Sequence, residues 1–298
     1  MNSSNILFLM LVILSPIISL SSSDWMIAWA GMEIGMIGVF PLLMYNSSSS
    51  KEASMKYFLI QSLASSLILI GGMLFFCFFI YKSLIMFCLG LSLKIGFFPG
   101  QFWIPSLMDS LSWNSNFLIL GPLKIAPLGF LSLIMVNNII VNLILLLGVM
   151  SAVLGSIMGM NQTKIRGMLG SSSISHTGWM MVSMVYGFLW GYFFSYMIIL
   201  MFSLYSLYNM DSFLASINLL SISGLPPFLM FVAKFKVVYF LILSNKFCLL
   251  FFLILSSVFS LTFYLKFYYS YLLMVTKISL TSIGMVLILN LLGIFFIV

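Results

Sequence analysis

SLIMFCLGLSLKIGFFPGQFWIPSLMDSLSWNSNFLILGPLKIAP, running from Ser83 to Pro127, decides the fold. It is apolar almost throughout, yet Lys94 and Lys124 lie deep within it. Gly96, Pro99, Gly100 and Pro105 interrupt the helical pattern between them. The part from 83 to 112 is too long for one ordinary membrane helix and too short for two helices with a loop. At 1.5 Å per residue it would reach roughly 45 Å, against a hydrocarbon core of about 30 Å. A helix broken around residues 96–101 resolves the mismatch. Such a break frees backbone groups that only protein or a wet cavity can satisfy. An ionised amine at the same depth is costly unless it faces water or a counter-charge.

The same reasoning applies from 212 to 244, a second overlong stretch split by Gly224, Pro226 and Pro227, with Lys234 and Lys236 in its second half. Ordinary spans are read at 5–20, 24–45, 55–80, 117–136, 139–159, 168–185, 188–208, 248–271 and 278–298. The expectation is an all-α, polytopic transmembrane bundle of about eleven helices, two of them discontinuous. Composition agrees: the chain is 63% hydrophobic and only 6% charged, where a soluble domain carries about 25% charge. Continuous apolar runs argue against a β-barrel. No polar linker is long enough to separate folded domains, so residues 1–298 are read as a single membrane domain. Residues 5–20 lack a basic leader and read as a first span, not a cleaved signal. Ser23–Asp24 reads as a helix cap, and Asn46 to Lys56 as a serine-rich loop. Lys51, Lys56, Lys164, Arg166 and Lys277 fall on the N-terminal side, and Lys82 and Lys246 on the other. The N-terminus is therefore expected on the cytoplasmic-type face.

The net charge of +7 is spread without a basic run, which gives nucleic-acid binding no support. Cys77, Cys88 and Cys248 sit in apolar segments and read as small hydrophobes. No CxxC, HExxH, Walker-type or dinucleotide glycine pattern occurs. One histidine and five acidic residues supply a metal or haem site poorly. What remains inside the membrane is Glu33, Lys94, Lys124 and Lys234, with Lys266 less deep. Glu33 is assigned to Lys94, since adjacent opposite charges lower each other's cost. Unpaired buried amines are placed to exchange protons near neutral pH; the bland alternative is snorkelling, strongest for Lys236 and Lys266. Asp24, Glu52, Asp109 and Asp211 read as interface or loop charges, Asp109 lying close enough to the broken helix to mark a pathway mouth. His176, in SSSISHTGWM, either relays protons along a polar face or is a neutral ring bonded to Ser172, Ser173, Ser175 or Thr177. From these residues alone, a free-standing cation/proton antiporter ranks first.

Six segments, in order, change that ranking: AWAGMEIGMIGVFPLL around Glu33, EASMKYFLIQSLASS at 52–66, SLKIGFFPGQFWIP at 92–105, Ser112 to Pro127 ending LKIAP, GMNQTKIRGMLGSSSISHTGWM at 159–180, and SISGLPPFLMFVAKF at 221–235. Together the chain resembles the chain 2 family of NADH–ubiquinone oxidoreductase (respiratory complex I), one of the antiporter-like membrane subunits. The resemblance implies eleven helices in the animal form and inverted repeats, approximately 5–136 and 139–244, followed by C-terminal helices at 248–298. It implies a proton-transfer axis in which Glu33, Lys94, Lys124, Lys234 and His176 match the family's buried glutamate, partner lysine, central lysine, second-repeat lysine and axial histidine. It further implies a non-redox subunit of a proton-translocating NADH:ubiquinone reductase, in the mitochondrial inner membrane with its N-terminus on the matrix side and C-terminus toward the intermembrane space. No cofactor is implied in this chain; NADH, FMN, iron–sulfur clusters and ubiquinone would belong to the parent complex. The implied partners are other membrane-arm subunits, including neighbouring antiporter-like ones, and membrane lipids. Gly100–Gln101 replaces the family's phenylalanine–histidine pair, and Leu123 stands where glutamine is usual, so any relay at 101 and one polar contact near Lys124 are lost. A purely structural membrane subunit and the free-standing antiporter remain the competing readings.

Overall fold

The computed structural model describes residues 3–44, 47–78, 83–135, 138–226, 228–275 and 284. The span expected over 278–298 lies outside the described residues apart from residue 284, as do Lys82, Pro227 and Lys277. Helices account for nearly all the rest, and no strand occurs among the described residues. In order they are α1 (Ser3–Ser21), α2 (Trp25–Leu43), α3 (Ser48–Gly72, prolonged by a π-helical turn over Met73–Cys77), α4 (Ser83–Ile95), α5 (Trp103–Met108), α6 (Trp113–Leu120), α7 (Pro122–Leu133), α8 (Asn138–Met160), α9 (Ile165–Val185), α10 (Leu189–Tyr208), α11 (Ser212–Ser223), α12 (Leu229–Leu243) and α13 (Phe247–Leu272). They divide between two compact units, Met1–Val141 and Asn142–Val298. The chain is a multi-pass, all-α membrane protein.

Both overlong stretches are broken helices. Gly96, with φ +81°, ends α4: its N–H and that of Phe97 both donate to the Ser92 carbonyl, at 2.8 and 3.2 Å. A side chain at Gly96 would strike Ile104, so glycine is required by space as well as by the left-handed backbone. Trp103 Nε1 donates to the Leu93 carbonyl at 3.0 Å and closes the far side of the break. In the second unit Gly224, φ +79°, ends α11 in the same left-handed conformation.

Three expectations need correction. The span at 117–136 is itself interrupted, at Gly121, whose φ −111° and ψ −92° are not helical. Pro122 starts α7 because it has no N–H to give to the preceding turn and its fixed φ suits a first helical position. Discontinuities therefore number three among the described residues, not two. The serine-rich segment is not a loop: α3 begins at Ser48 because Ser47 and Ser50 form a reciprocal cap, Ser47 N–H donating to Ser50 Oγ at 2.8 Å and Ser50 N–H to Ser47 Oγ at 3.2 Å. Lys51, Glu52 and Lys56 thus ride on the first turns of a helix, with Glu52 and Lys56 paired at 2.6 Å on an exposed face. Asp24 does occupy the N-cap position of α2, but its side chain makes no capping bond.

Without a hydrophobic gain between helices in lipid, close approach depends on small residues. In the first unit Gly31 and Gly35 of α2 lie against Ser19 and Ser15 of α1. In the second, Gly155 of α8 faces Ser175 of α9, where an added Cβ would come within 2.5 Å of the Ser175 nitrogen. Buried serines are largely satisfied inside their own helices: Ser15 donates to the Val12 carbonyl, Ser171 to Met168, Ser203 to Leu200 and Ser256 to Leu253.

Candidate functional site

The first unit gathers three of the charges singled out in the sequence. Glu33 lies on α2, on a face turned away from the Gly31–Gly35 contact. Lys94 lies in the last turn of α4, held where Gly96 ends the helix. Its Nζ donates to Glu33 Oε1 at 2.7 Å, with the lysine side chain 6% and the glutamate side chain 17% exposed. A charge-assisted bond of that length keeps both ions at a depth where neither would persist alone. Gln61 of α3 donates from Nε2 to the Lys94 backbone carbonyl at 3.4 Å, tying α3 to the end of α4.

Lys124 occupies the first turn of α7, next to the interruption at Gly121, and is 3% exposed. Its Nζ has no hydrogen-bond partner among the described residues. It lines a cavity of about 20 Å³ together with Lys94, Tyr57, Gln61, Ser15 and Trp103, a volume sufficient for a water-sized group. Lys94 of the ion pair and the Lys124 amine, unbonded among the described residues, therefore line one small cavity. Gln101 is fully buried with neither amide atom bonded among the described residues, and it is not among the residues lining that space. One carboxylate oxygen of Asp109 is likewise buried and unbonded there.

The second unit holds the other two residues. Lys234, on α12, is 7% exposed and points inward rather than snorkelling. Its Nζ donates to the Ser223 carbonyl at 2.7 Å, the last residue of α11, and lies 5.7 Å from the Trp179 ring. A carbonyl freed at a helix C-terminus and an aromatic face are both attractive to a cation. Lys236 instead lies 5.2 Å over Phe188, and Lys266 is exposed, reaching the Gln162 carbonyl at 3.3 Å.

His176, in the middle of α9, is 2% exposed. Ser172, Ser173, Ser175 and Thr177 donate to the carbonyls of Leu169, Gly170, Ser172 and Ile174, at 2.7–2.8 Å. The ring also meets two tyrosines: Nδ1 lies 3.0 Å from Tyr192 Oη and Nε2 lies 3.4 Å from Tyr264 Oη. Tyr57, Trp179, Tyr192 and Tyr264 were not picked out by sequence reasoning. Their apolar neighbours gave them the look of packing residues. Only a helical-wheel placement of Tyr192 and Tyr264 against His176 could have flagged them. Among the described residues no group of three or more histidine, cysteine, aspartate or glutamate side chains could hold a metal ion.

Comparison with known proteins places this geometry in context. Residues 22–219 match the family model described as NADH:quinone oxidoreductase/Mrp antiporter, TM. NADH-ubiquinone oxidoreductase chain 2 of Albinaria caerulea is 38% identical over 242 residues, covering 80% of this chain and 79% of the relative. That of Anopheles gambiae is 35% identical over 263 residues, covering 79% and 76%. A chain of respiratory complex I from Thermus thermophilus superposes with a TM-score of 0.82 over 98% of this chain and 78% of that one; at 18% identity this shows a shared fold. The buried ion pair, the broken helices and these relatives agree, and the chain belongs to the NADH-ubiquinone oxidoreductase chain 2 family, within the NADH:quinone oxidoreductase/Mrp antiporter transmembrane proteins.

Proposed function

We propose that this chain is a proton-carrying, non-redox membrane-arm subunit of respiratory NADH:ubiquinone oxidoreductase. The observation that carries the reading is the Glu33–Lys94 ion pair at 2.7 Å, whose lysine lines the same cavity as Lys124. A membrane span that only fills space has no use for two amines lining one cavity with a carboxylate bonded to one of them. Separating Glu33 from Lys94 leaves the Lys94 ammonium without its counter-charge, which makes its proton costly to hold. Lys124, across the cavity and without a partner among the described residues, is the acceptor within the first unit. In the second unit Lys234 and His176 take the corresponding parts. Lys234 is held at a helix break, where the freed Ser223 carbonyl bonds its ammonium. The two units would correspond to two inverted repeats, approximately 5–136 and 139–244, with the following helices as an appendage.

In this proposal the driver is quinone reduction elsewhere in the parent complex, whose NADH, FMN, iron–sulfur clusters and ubiquinone lie in other subunits. The partners are other membrane-arm subunits, including antiporter-like neighbours, and the setting is the mitochondrial inner membrane with the N-terminus on the matrix side. Native electrophoresis of solubilised membranes, with mass spectrometry locating this chain and an in-gel NADH dehydrogenase stain, tests the assignment. Migration in a near-megadalton, NADH-active band is expected. Migration alone or as a small oligomer would overturn it in favour of a free-standing antiporter.

The helix break at Gly224 gives a sharper test. A Cβ there would lie 3.0–3.3 Å from Lys234 Cδ, Cε and Nζ, so Gly224→Ala should push the ammonium off the Ser223 carbonyl. Gly187 is the matched control, with φ +73° but nothing within 4 Å of an added Cβ. Both alanines carry the left-handed strain of about 1–2 kcal/mol. Proton translocation per NADH oxidised should fall for Gly224→Ala and hold for Gly187→Ala. Equal behaviour of the two would assign the effect to backbone strain and remove Lys234 placement from the mechanism.

A further inference from the structure

His176 is enclosed by three tyrosines that are as deeply buried as it is: Tyr192 and Tyr264 are 0% exposed and Tyr196 is 2%. They come from two helices, Tyr192 and Tyr196 from α10 and Tyr264 from α13. Their roles differ. Tyr196 packs its ring against the imidazole, centroids 5.1 Å apart and planes inclined by 37°, and its hydroxyl has no hydrogen-bond partner among the described residues. Tyr192 and Tyr264 bring hydroxyls to opposite nitrogens, at 3.0 and 3.4 Å. A neutral imidazole has one N–H and one bare nitrogen, whereas a phenol both donates and accepts. The two phenols can therefore satisfy either tautomer by turning their O–H groups, with no movement of a heavy atom. The flanking serine and threonine hydroxyls are committed to carbonyls of their own helix, as described above. The Tyr264 hydroxyl also interacts with the Ser172 side chain, which gives it a second polar neighbour.

We propose that Tyr192 and Tyr264 are the proton-passing partners of His176, one on each nitrogen, so that the imidazole acts as a two-sided relay instead of a terminal acid. This rests on the reading of His176 as part of the proton path. Starting from the tautomer protonated on Nε2, a transported proton bonds to the Tyr192 oxygen while that hydroxyl's own proton bonds to Nδ1. The Nε2 proton passes to the Tyr264 oxygen, and the proton Tyr264 carried leaves toward its other polar neighbour, the Ser172 side chain. One proton enters and one leaves. Both phenols end protonated, and the ring ends in the Nδ1–H tautomer, which the same two hydroxyls satisfy. Transfer in the opposite sense restores the first tautomer; turning the ring moves its nitrogens but leaves the proton on Nδ1.

The test uses the assembled complex, with the amount of complex fixed by native gel, and reads protons translocated per NADH oxidised for Tyr192→Phe, Tyr264→Phe, Tyr196→Phe and His176→Gln. Each phenylalanine keeps the ring and removes only the hydroxyl. The expected result is the same loss for Tyr192→Phe and Tyr264→Phe as for His176→Gln, with Tyr196→Phe at the unsubstituted value. Wild-type values for Tyr192→Phe or Tyr264→Phe beside a deficient His176→Gln overturn the two-sided relay and leave the histidine's proton role standing. A wild-type His176→Gln removes the reading on which the relay rests. Equal losses at all three tyrosines assign the effect to packing and overturn the relay. Where a phenylalanine variant yields no assembled complex, infrared difference spectra of the unsubstituted complex under turnover supply the result. Tyrosine C–O bands changing together with the imidazole bands are expected, and imidazole changes alone overturn the proposal.

Discussion

Glu33→Gln should remove redox-driven proton translocation and also reduce the amount of assembled complex. The substitution keeps the side chain's size but takes away the charge that lies 2.7 Å from Lys94 Nζ. What remains is an ammonium 6% exposed without a counter-ion, and breaking one side of a buried pair costs about 3–5 kcal/mol. Both losses therefore have one cause but can be separated. Lys94→Met added to Glu33→Gln removes the stranded charge, and replacing a whole buried pair by apolar groups is close to neutral. The double variant is expected to regain assembly on native gels while translocation stays absent. Recovery of translocation together with assembly would mean that the pair holds the helices and nothing more.

Lys124→Met should give the opposite combination. Its amine has no partner among the described residues, so removing it breaks no bond and relieves the cost of holding an amine in the membrane, about 2.5–3.5 kcal/mol on an insertion scale. Methionine fills nearly the same volume, which spares the packing around Pro122 and Pro127. Assembled complex should equal or exceed the unsubstituted level while protons moved per NADH fall. Quinone reduction measured with an uncoupler separates a lost proton path from a damaged enzyme. Loss of assembly in proportion to loss of translocation would exclude a specific proton role for Lys124. The two variants together are informative because stability and activity move in the same direction at Glu33 and in opposite directions at Lys124.

Much of this was legible in the sequence where length and charge met. A 30-residue apolar run containing glycines and prolines cannot be one helix in a bilayer, and the breaks at Gly96 and Gly224 follow from that constraint. Glu33 and Lys94 are distant in sequence but were matched because one buried carboxylate needs one buried cation. Gly121 was missed because the run around it has an ordinary length, so no mismatch called for a break. The start of α3 was missed because serine-rich composition reads as loop, whereas Ser47 and Ser50 are placed to cap a helix. The partners of Lys234 and His176 were hidden for different reasons. Ser223 acts through a backbone carbonyl that no side-chain inventory contains. Tyr192 and Tyr264 lie among phenylalanines and leucines, and only the packing of α9, α10 and α13 tells a functional phenol from a space-filling ring.

The serine hydroxyls that turn back onto their own helices have a mechanical consequence. Each helix saturates its small polar groups internally, so few side-chain bonds tie one helix to the next among the described residues: Trp29 to the Ser65 carbonyl, Gln61 to that of Lys94, Asn218 to that of Phe202, and Tyr186 to Ser244 are examples. Away from those bonds a helix can therefore tilt or slide by a fraction of an ångström against its neighbour without breaking a hydrogen bond. The stiffness of each unit comes from its rods, and its compliance from the joints between them. The Glu33–Lys94 ion pair and the tyrosine–histidine contacts are among the places where a small displacement changes a bond.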